Sequence, residues 1–185
     1  MAEERINIWN EAAVPGLVLG FVSIAYMVVT MLTSKLAGTG ATAVLIGILD
    51  FVLWAVKFAA CILLLRHFLL AFSKRNPSAD NRKVFHFGMA TALFSALLYS
   101  GFYLVYVLYI DPEMLSSAME TALASYSGMM DSGTLAAMQD ILPDMPAIGF
   151  FSNLIWCWLF GTVLSSIFSR NIPAPVQDDP FKDNQ

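Results

Sequence analysis

Hydrophobic residues along the chain are concentrated in four long windows that polar segments separate. The windows cover about residues 14–33, 42–66, 85–110 and 147–168. A helix needs about 20 residues to cross the roughly 30 Å of hydrocarbon in a bilayer, and each window is long enough. The pattern therefore predicts an all-α fold, a four-helix transmembrane bundle whose first partner is the lipid bilayer.

The segment between the third and fourth windows, residues 111–146, has a different pattern. It opens with "DPE" at Asp111, which is typical of a helix start because an acidic cap and a proline both suit the first turn. Apolar residues then recur at helical spacing as far as Gly128, and a second, shorter repeat covers residues 134–142. The sequence predicts two short amphipathic helices that cap the bundle.

Charge divides the connecting segments into two kinds. The segment 111–146 contains acidic residues and neither lysine nor arginine, whereas the connection between the second and third windows is basic, with Arg66, Lys74, Arg75, Arg82 and Lys83. Lysine and arginine resist translocation across the membrane. We therefore expect both termini in the cytoplasm and the acidic segment outside.

Composition agrees with one integral membrane domain. The chain of 185 residues is 58% hydrophobic and 13% charged, with a mean hydropathy of +0.67. We expect a single domain over residues 1–170 and a disordered cytoplasmic tail over the proline-rich residues 171–185. The first window is longer than a signal-peptide core and follows an acidic start, which favours a retained helix. No nucleic-acid partner is expected.

Small residues at four-residue spacing mark three of the windows. Such stripes let two helices approach closely, and they serve packing within the bundle or dimerisation. They are Gly16 and Gly20 in the first window, Gly88, Ala92, Ala96 and Ser100 in the third, and Cys157, Gly161, Ser165 and Ser169 in the fourth.

Candidate chemistry outside the second window is sparse. Thioethers bind Cu(I), and six methionines lie in the segment 111–146, but methionine also fills irregular apolar faces and no histidine or cysteine lies nearby. His67 and His86 lie at membrane boundaries, where histidine is usually an interfacial residue. No catalytic motif is present. We expect no metal, no cofactor and no enzymatic activity.

The second window contains three charges. A helix that enters the hydrocarbon near Ala43 and rises about 1.5 Å per residue leaves it near Leu63, so Arg66 can extend to the headgroups. Asp50 and Lys57 lie near mid-membrane on one helix face, ~10.5 Å apart along the axis. Each costs roughly 2.5–3.5 kcal/mol to insert, so each needs a partner.

Polar residues at similar depth are the candidate partners: Asn153, Tyr99, Ser100 and Tyr26 near Asp50, and Thr91 or Ser95 near Lys57. A direct ion pair is marginal because the Asp50 side chain leans away from Lys57. Two interpretations stay open. The pair is a buried polar clasp that fixes helix packing, which we favour slightly, or it is a functional site.

The order of these features resembles a bacterial membrane family known as domain of unknown function 4199. The resemblance is carried by "YIDPEML" after the third window, the acidic segment with its methionines, "IGFFSNLIWCWLFGTVLSSIFSR" and the tail "NIPAPVQDDPF". It implies a bacterial inner-membrane protein with one such domain, and it implies no particular activity.

Two functions follow from these observations. The first is a multi-pass protein with a structural, accessory or partner-binding role, acting as a homodimer or with an unidentified membrane partner. The alternative is a small carrier or proton-coupled transporter subunit that uses Asp50 and Lys57. Four spans are few for a carrier, and the chain has neither an obvious inverted repeat nor a helix break at mid-membrane.

Overall fold

The computed structural model describes residues 7–36, 40–77, 79–126 and 132–172. Within these ranges the chain is helical and contains no strand, which confirms the all-α class. The helices are α1 (Ile8–Leu36), α2 (Ala41–Arg75), α3 (Asn81–Val105, continued by a π-helical turn, Tyr106–Ile110), α4 (Glu113–Tyr126), α5 (Ser132–Ile141) and α6 (Met145–Arg170, preceded by a 3-10 turn, Leu142–Asp144). Most of the tail predicted over residues 171–185 lies outside the described residues.

Four of these helices, α1, α2, α3 with its π-helical turn, and α6 with its 3-10 turn, are long and apolar enough to cross a membrane. The predicted bundle is therefore confirmed, as are the two short helices between its third and fourth spans. The helices extend beyond the predicted windows. The α2 helix has 35 residues and continues to Arg75, so its ~50 Å length exceeds the hydrocarbon core.

Two ion pairs show which helix ends meet. Arg75 at the end of α2 lies 3.3 Å from Glu11 near the start of α1. At the opposite end of the bundle, Lys35 of α1 lies 4.0 Å from Asp111, which follows α3. We call the end with the α2–α3 connection the basic end, and the end from which α4 and α5 emerge the acidic end.

The central helix is α3, which packs most extensively against α6 and α1. Glycines allow the close approach to α6. A Cβ atom built on Gly161 of α6 would lie 2.5 Å from the Cβ of Ala92, and one on Gly88 of α3 would collide with Ser165. The packing interpretation of these two stripes is confirmed.

The same holds for α1. A Cβ on Gly16 would collide with Phe94 of α3, and one on Gly20 would lie 2.8 Å from Leu98. Both glycines of the predicted pair therefore face α3, and the helices come together where side chains are absent.

The α2 helix is attached unevenly. Its buried residues are Leu65, Leu69 and Phe72, all toward the basic end, where Phe72 stacks on Phe87 of α3 with 4.2 Å between ring centroids. From residue 41 to residue 64, a stretch that the structure describes in full, no residue of α2 is buried. The rest of α2 thus lies loosely beside the bundle, and this looseness creates the candidate site.

Candidate functional site: a pocket around Lys57

One stripe of α2 faces the other helices. Between residues 41 and 64 most side chains are exposed, and the partly covered ones recur at helical spacing: Ile46, Asp50, Leu53, Lys57, Ala60, Cys61, Ile62 and Leu64. Asp50 and Lys57 both lie on this stripe, as the spacing of seven residues predicts. The two charges therefore face the bundle, and the fully apolar sides of α2 face outward.

Asp50 is held by α1. Its Oδ1 accepts a hydrogen bond of 2.8 Å from the Thr33 hydroxyl. That hydroxyl also lies 2.9 Å from the backbone oxygen of Thr30, and its single proton can serve only one of the two acceptors at a time. Asp50 also interacts electrostatically with the phenol of Tyr26. The contact with Thr33 joins α1 to the half of α2 nearer the acidic end.

Lys57 lies between two tyrosines from two other helices. Its Nζ is 5.5 Å from the ring centroid of Tyr26 on α1 and 5.7 Å from that of Tyr99 on α3. Both distances are within the range of a cation–π contact. In the part of the chain that the structure describes, Lys57 forms no ion pair with Asp50 or with another carboxylate.

The candidate partners are thus distributed differently from the expectation. Tyr26 interacts with both charges, whereas Tyr99 contacts Lys57 rather than Asp50. The reason is side-chain direction: helical side chains lean toward the N-terminus of their helix, so the long Lys57 chain extends toward the acidic end and reaches the tyrosines there. Matching candidate partners by the depth of their backbones alone leaves out this displacement of the side chains.

Lys57 lies in the wall of a pocket. The pocket has a volume of about 590 Å³ and lies between α1, α2, α3 and α6. The polar residues in its wall are Ser23, Lys57, Cys61, Ser95, Tyr99 and Cys157. Ser95, which we expected beside Lys57, is in the same wall, and most of the remaining wall is aromatic or aliphatic.

Asp50, Asn153 and Ser100 are described residues that take no part in this wall. Ser100 is completely buried, and its hydroxyl has no hydrogen-bond partner among the described residues. The structure therefore does not bring Ser100 or Asn153 to Asp50 as a hydrogen-bond partner.

Sequence reasoning missed Thr33 and the two cysteines. A signal for Thr33 was available, because α1 and α2 are antiparallel neighbours and their side chains lean in opposite directions. Thr33 leans toward the basic end and Asp50 toward the acidic end, so the two approach each other although their backbones differ in depth. For Cys61 and Cys157 the sequence contains no such signal, because it shows only that both lie among apolar residues.

The other candidates remain separate from this pocket. The rings of His67 and His86 each contact the adjacent phenylalanine of their own helix. Among the described residues no three His, Cys, Asp or Glu side chains are placed to hold a metal ion. Met129 and Met130, like the side chain of Met138, lie outside the described part, so the expectation that this segment binds no copper stays a prediction.

The fold and this pocket define a class: a multi-pass helical membrane protein with a cationic side chain in a pocket between its helices. The sequence model of a family described as protein of unknown function DUF4199 matches residues 15–170. The chain belongs to this family, which confirms the resemblance. No curated protein and no solved structure matches the chain.

Proposed function

We propose that the protein is a non-enzymatic accessory membrane protein that acts by binding, and that it binds in the Lys57 pocket. One observation supports this most directly: Lys57 lies in the wall of a pocket of about 590 Å³, and its ammonium has no carboxylate partner in the described part of the chain. The volume lies within the range of roughly 300–1,000 Å³ that is usual for ligand pockets. Ionisable residues inside a membrane commonly mark functional sites.

The energetics favour binding over a purely structural role for Lys57. Its two cation–π contacts contribute about 0.5–2 kcal/mol each, whereas inserting a lysine near the centre of a membrane helix costs roughly 2.5–3.5 kcal/mol. The contacts therefore do little more than offset the cost. A charge that served only as a clasp would be expected to have a charged or hydrogen-bonding partner.

Asp50 fits the structural role better. Its bond to Thr33 connects two helices, and it lies outside the pocket wall. The clasp interpretation thus applies to Asp50 with Thr33, while the functional interpretation applies to Lys57.

Orientation and location are part of the same proposal. We place the protein in a bacterial inner membrane with both termini in the cytoplasm and residues 111–146 outside. The charge asymmetry supports this, because lysine and arginine collect around the basic end. In a cysteine-free variant of known vesicle orientation, a membrane-impermeant maleimide should label Ser125→Cys from outside and Ser73→Cys only after permeabilisation. The reverse pattern would contradict the orientation.

A carrier or proton-coupled transporter subunit is the second candidate. The shared stripe of Asp50 and Lys57 supports it, and the separation of Asp50 from the pocket speaks against one continuous polar path. A carrier of this kind should move protons in proteoliposomes after a pH jump, and Asp50→Asn should abolish the flux. Flux that depends on Asp50 would replace our proposal with this one.

The chain provides its own reporters for binding. Cys61 and Cys157 are its two cysteines, and both lie in the pocket wall. We would measure the rate of N-ethylmaleimide labelling in nanodiscs containing hexadecanoate, methyl hexadecanoate or hexadecylamine. At least one compound should slow labelling saturably.

The matched control is a cysteine outside the pocket. Ser125→Cys, on the exposed surface of α4 in a cysteine-free background, should keep its labelling rate. If none of the three compounds slows the labelling of Cys61 or Cys157, the pocket does not bind such molecules and the proposed function fails.

A further inference from the structure

The Lys57 pocket combines one cation with walls that are mostly apolar. From this combination we infer the class of its ligand: a single-chain lipophilic carboxylate that enters from the bilayer and places its head group at Lys57. The inference rests on the proposed function of the pocket and adds the chemistry of the ligand.

The head group follows from the donors in the wall. The Lys57 ammonium has three N–H donors, and its contacts within the described residues are with the faces of two tyrosine rings. The hydroxyls of Ser23 and Ser95 lie in the same wall and can also donate hydrogen bonds. Charged acceptors form the strongest hydrogen bonds with such donors, so an anionic oxygen complements the site best.

The hydrocarbon tail of the ligand is inferred from the aromatic residues at the edge of the pocket. Trp54 and Phe58 of α2 and Trp156 and Phe160 of α6 all line the pocket, and the Phe58 and Phe160 rings are in contact, with 5.2 Å between their centroids. Trp156 is 74% exposed and Trp54 is 47% exposed, so this edge opens sideways between the helices. In a membrane this opening faces hydrocarbon, which a hydrocarbon chain can cross and a hydrophilic anion cannot.

The depth of the pocket below the headgroups favours a ligand with a small head group and one chain. Lys57 is 16 residues beyond the start of α2 at Ala41, or ~24 Å along the helix, and six residues, or ~9 Å, from the hydrocarbon boundary expected near Leu63. A phospholipid would have to bring its phosphate and both chains to this depth, whereas a single-chain acid needs to bring only one carboxyl group. An amine would repel Lys57, and a neutral ester would leave the ammonium without a counter-charge.

The experiment compares head groups that carry the same chain. Labelling of Cys61 and Cys157 by N-ethylmaleimide is followed in nanodiscs at pH 8 with increasing mole fractions of hexadecanoate, methyl hexadecanoate or hexadecylamine. Hexadecanoate should give half-maximal protection at a mole fraction at least about tenfold lower than the other two compounds, which corresponds to one charge-assisted hydrogen bond.

Variants assign this preference to one residue. Lys57→Met should remove the difference between acid and ester, and Lys57→Arg should keep it because the charge is retained. Lys35→Met is the matched control, since Lys35 is an exposed lysine at the acidic end and should not alter protection.

Each outcome decides a different point. Equal protection by acid and ester in the unmodified protein overturns the carboxylate assignment but leaves a binding pocket. Protection by none of the compounds overturns the proposed function as well. A preference for the acid that persists in Lys57→Met removes Lys57 as the anion site. If Lys57→Met fails to fold, the comparison of acid and ester in the unmodified protein still decides whether the ligand is an anion.

Discussion

A double-mutant cycle should show that Asp50 is coupled to Thr33 and not to Lys57. The first cycle combines Asp50→Leu with Thr33→Val, which removes the hydroxyl at nearly constant shape. The second combines Asp50→Leu with Lys57→Met. Each cycle compares the free energy of unfolding of the double variant with the sum for the single variants.

The expected coupling with Thr33 is about 1 kcal/mol. A hydrogen bond to a charged group contributes about 1.5–3 kcal/mol in general, but cycles within membrane helices average about 0.6 and reach about 1.7 kcal/mol. The bond to Asp50 is short, at 2.8 Å. However, the Thr33 hydroxyl keeps an alternative acceptor in the Thr30 backbone oxygen 2.9 Å away, which lowers the net value.

The expected coupling with Lys57 is close to zero, within about 0.5 kcal/mol. Both residues lie on α2, and a helix in lipid or detergent keeps its backbone hydrogen bonds when the bundle dissociates. Whatever attraction acts between Asp50 and Lys57 along α2 is therefore present before and after unfolding, and it cancels. Only contacts between helices contribute to the cycle: for the first cycle the one with Thr33, and for the second the shared contact with Tyr26, which we expect to add less than about 0.5 kcal/mol.

Reversible unfolding in mixed micelles of dodecyl maltoside and sodium dodecyl sulfate, followed by the fluorescence of the four tryptophans, supplies the four free energies of each cycle. The double variant of Asp50 and Lys57 should be less stable than either single variant. Recovery of stability in that double variant, with a coupling above about 1 kcal/mol, would refute the separation of the two charges and restore the direct clasp.

Three further changes test the packing, each by thermal unfolding in detergent with the unmodified protein as reference. Gly161→Ala should destabilise the protein by about 1–3 kcal/mol because the new Cβ has no room against α3. Gly101→Ala is the control and should be neutral, because no atom lies within 4 Å of its new Cβ. Equal effects of the two variants would contradict this packing. Phe72→Ala should cost about 3–5 kcal/mol because the ring is completely buried, and a loss below about 1 kcal/mol would mean that α2 is held elsewhere. Glu11→Gln should change stability by less than about 1 kcal/mol because Glu11 and Arg75 are both partly exposed; a larger loss would indicate a buried pair.

The helices could be predicted from the sequence because crossing a bilayer imposes a length and an apolar composition on each of them. The small-residue stripes were also predictable, since glycine is the residue that permits contact between backbones. Gly161 and Gly88 fulfil this expectation at the interface between α3 and α6. These features depend on local sequence and on the properties of the membrane alone.

The pocket could not be predicted in this way, because lipid and protein interior are equally apolar surroundings. Leu63 is 63% exposed and Leu65 is 3% exposed, yet hydropathy treats them alike. Which side of α2 faces the bundle, and how closely, depends on contacts with three other helices. The spacing of Asp50 and Lys57 predicted that both lie on one face of α2. This spacing contains no information about the pocket beside that face.

The attachment of α2 gives a physical reason for the different roles that we propose for its two charges. The helix is fixed near the basic end by Phe72 and its neighbours, and nearer the acidic end by the bond between Asp50 and Thr33. Lys57 lies between these two attachments, where α2 touches α6 through the Phe58 and Phe160 rings and the pocket lies beside this contact. A ligand that fills this pocket would add contacts between α2 and the other helices and stabilise the folded protein increasingly as its concentration rises. Under the proposed function, Asp50 keeps α2 near enough for the pocket to exist, and Lys57 selects what enters it.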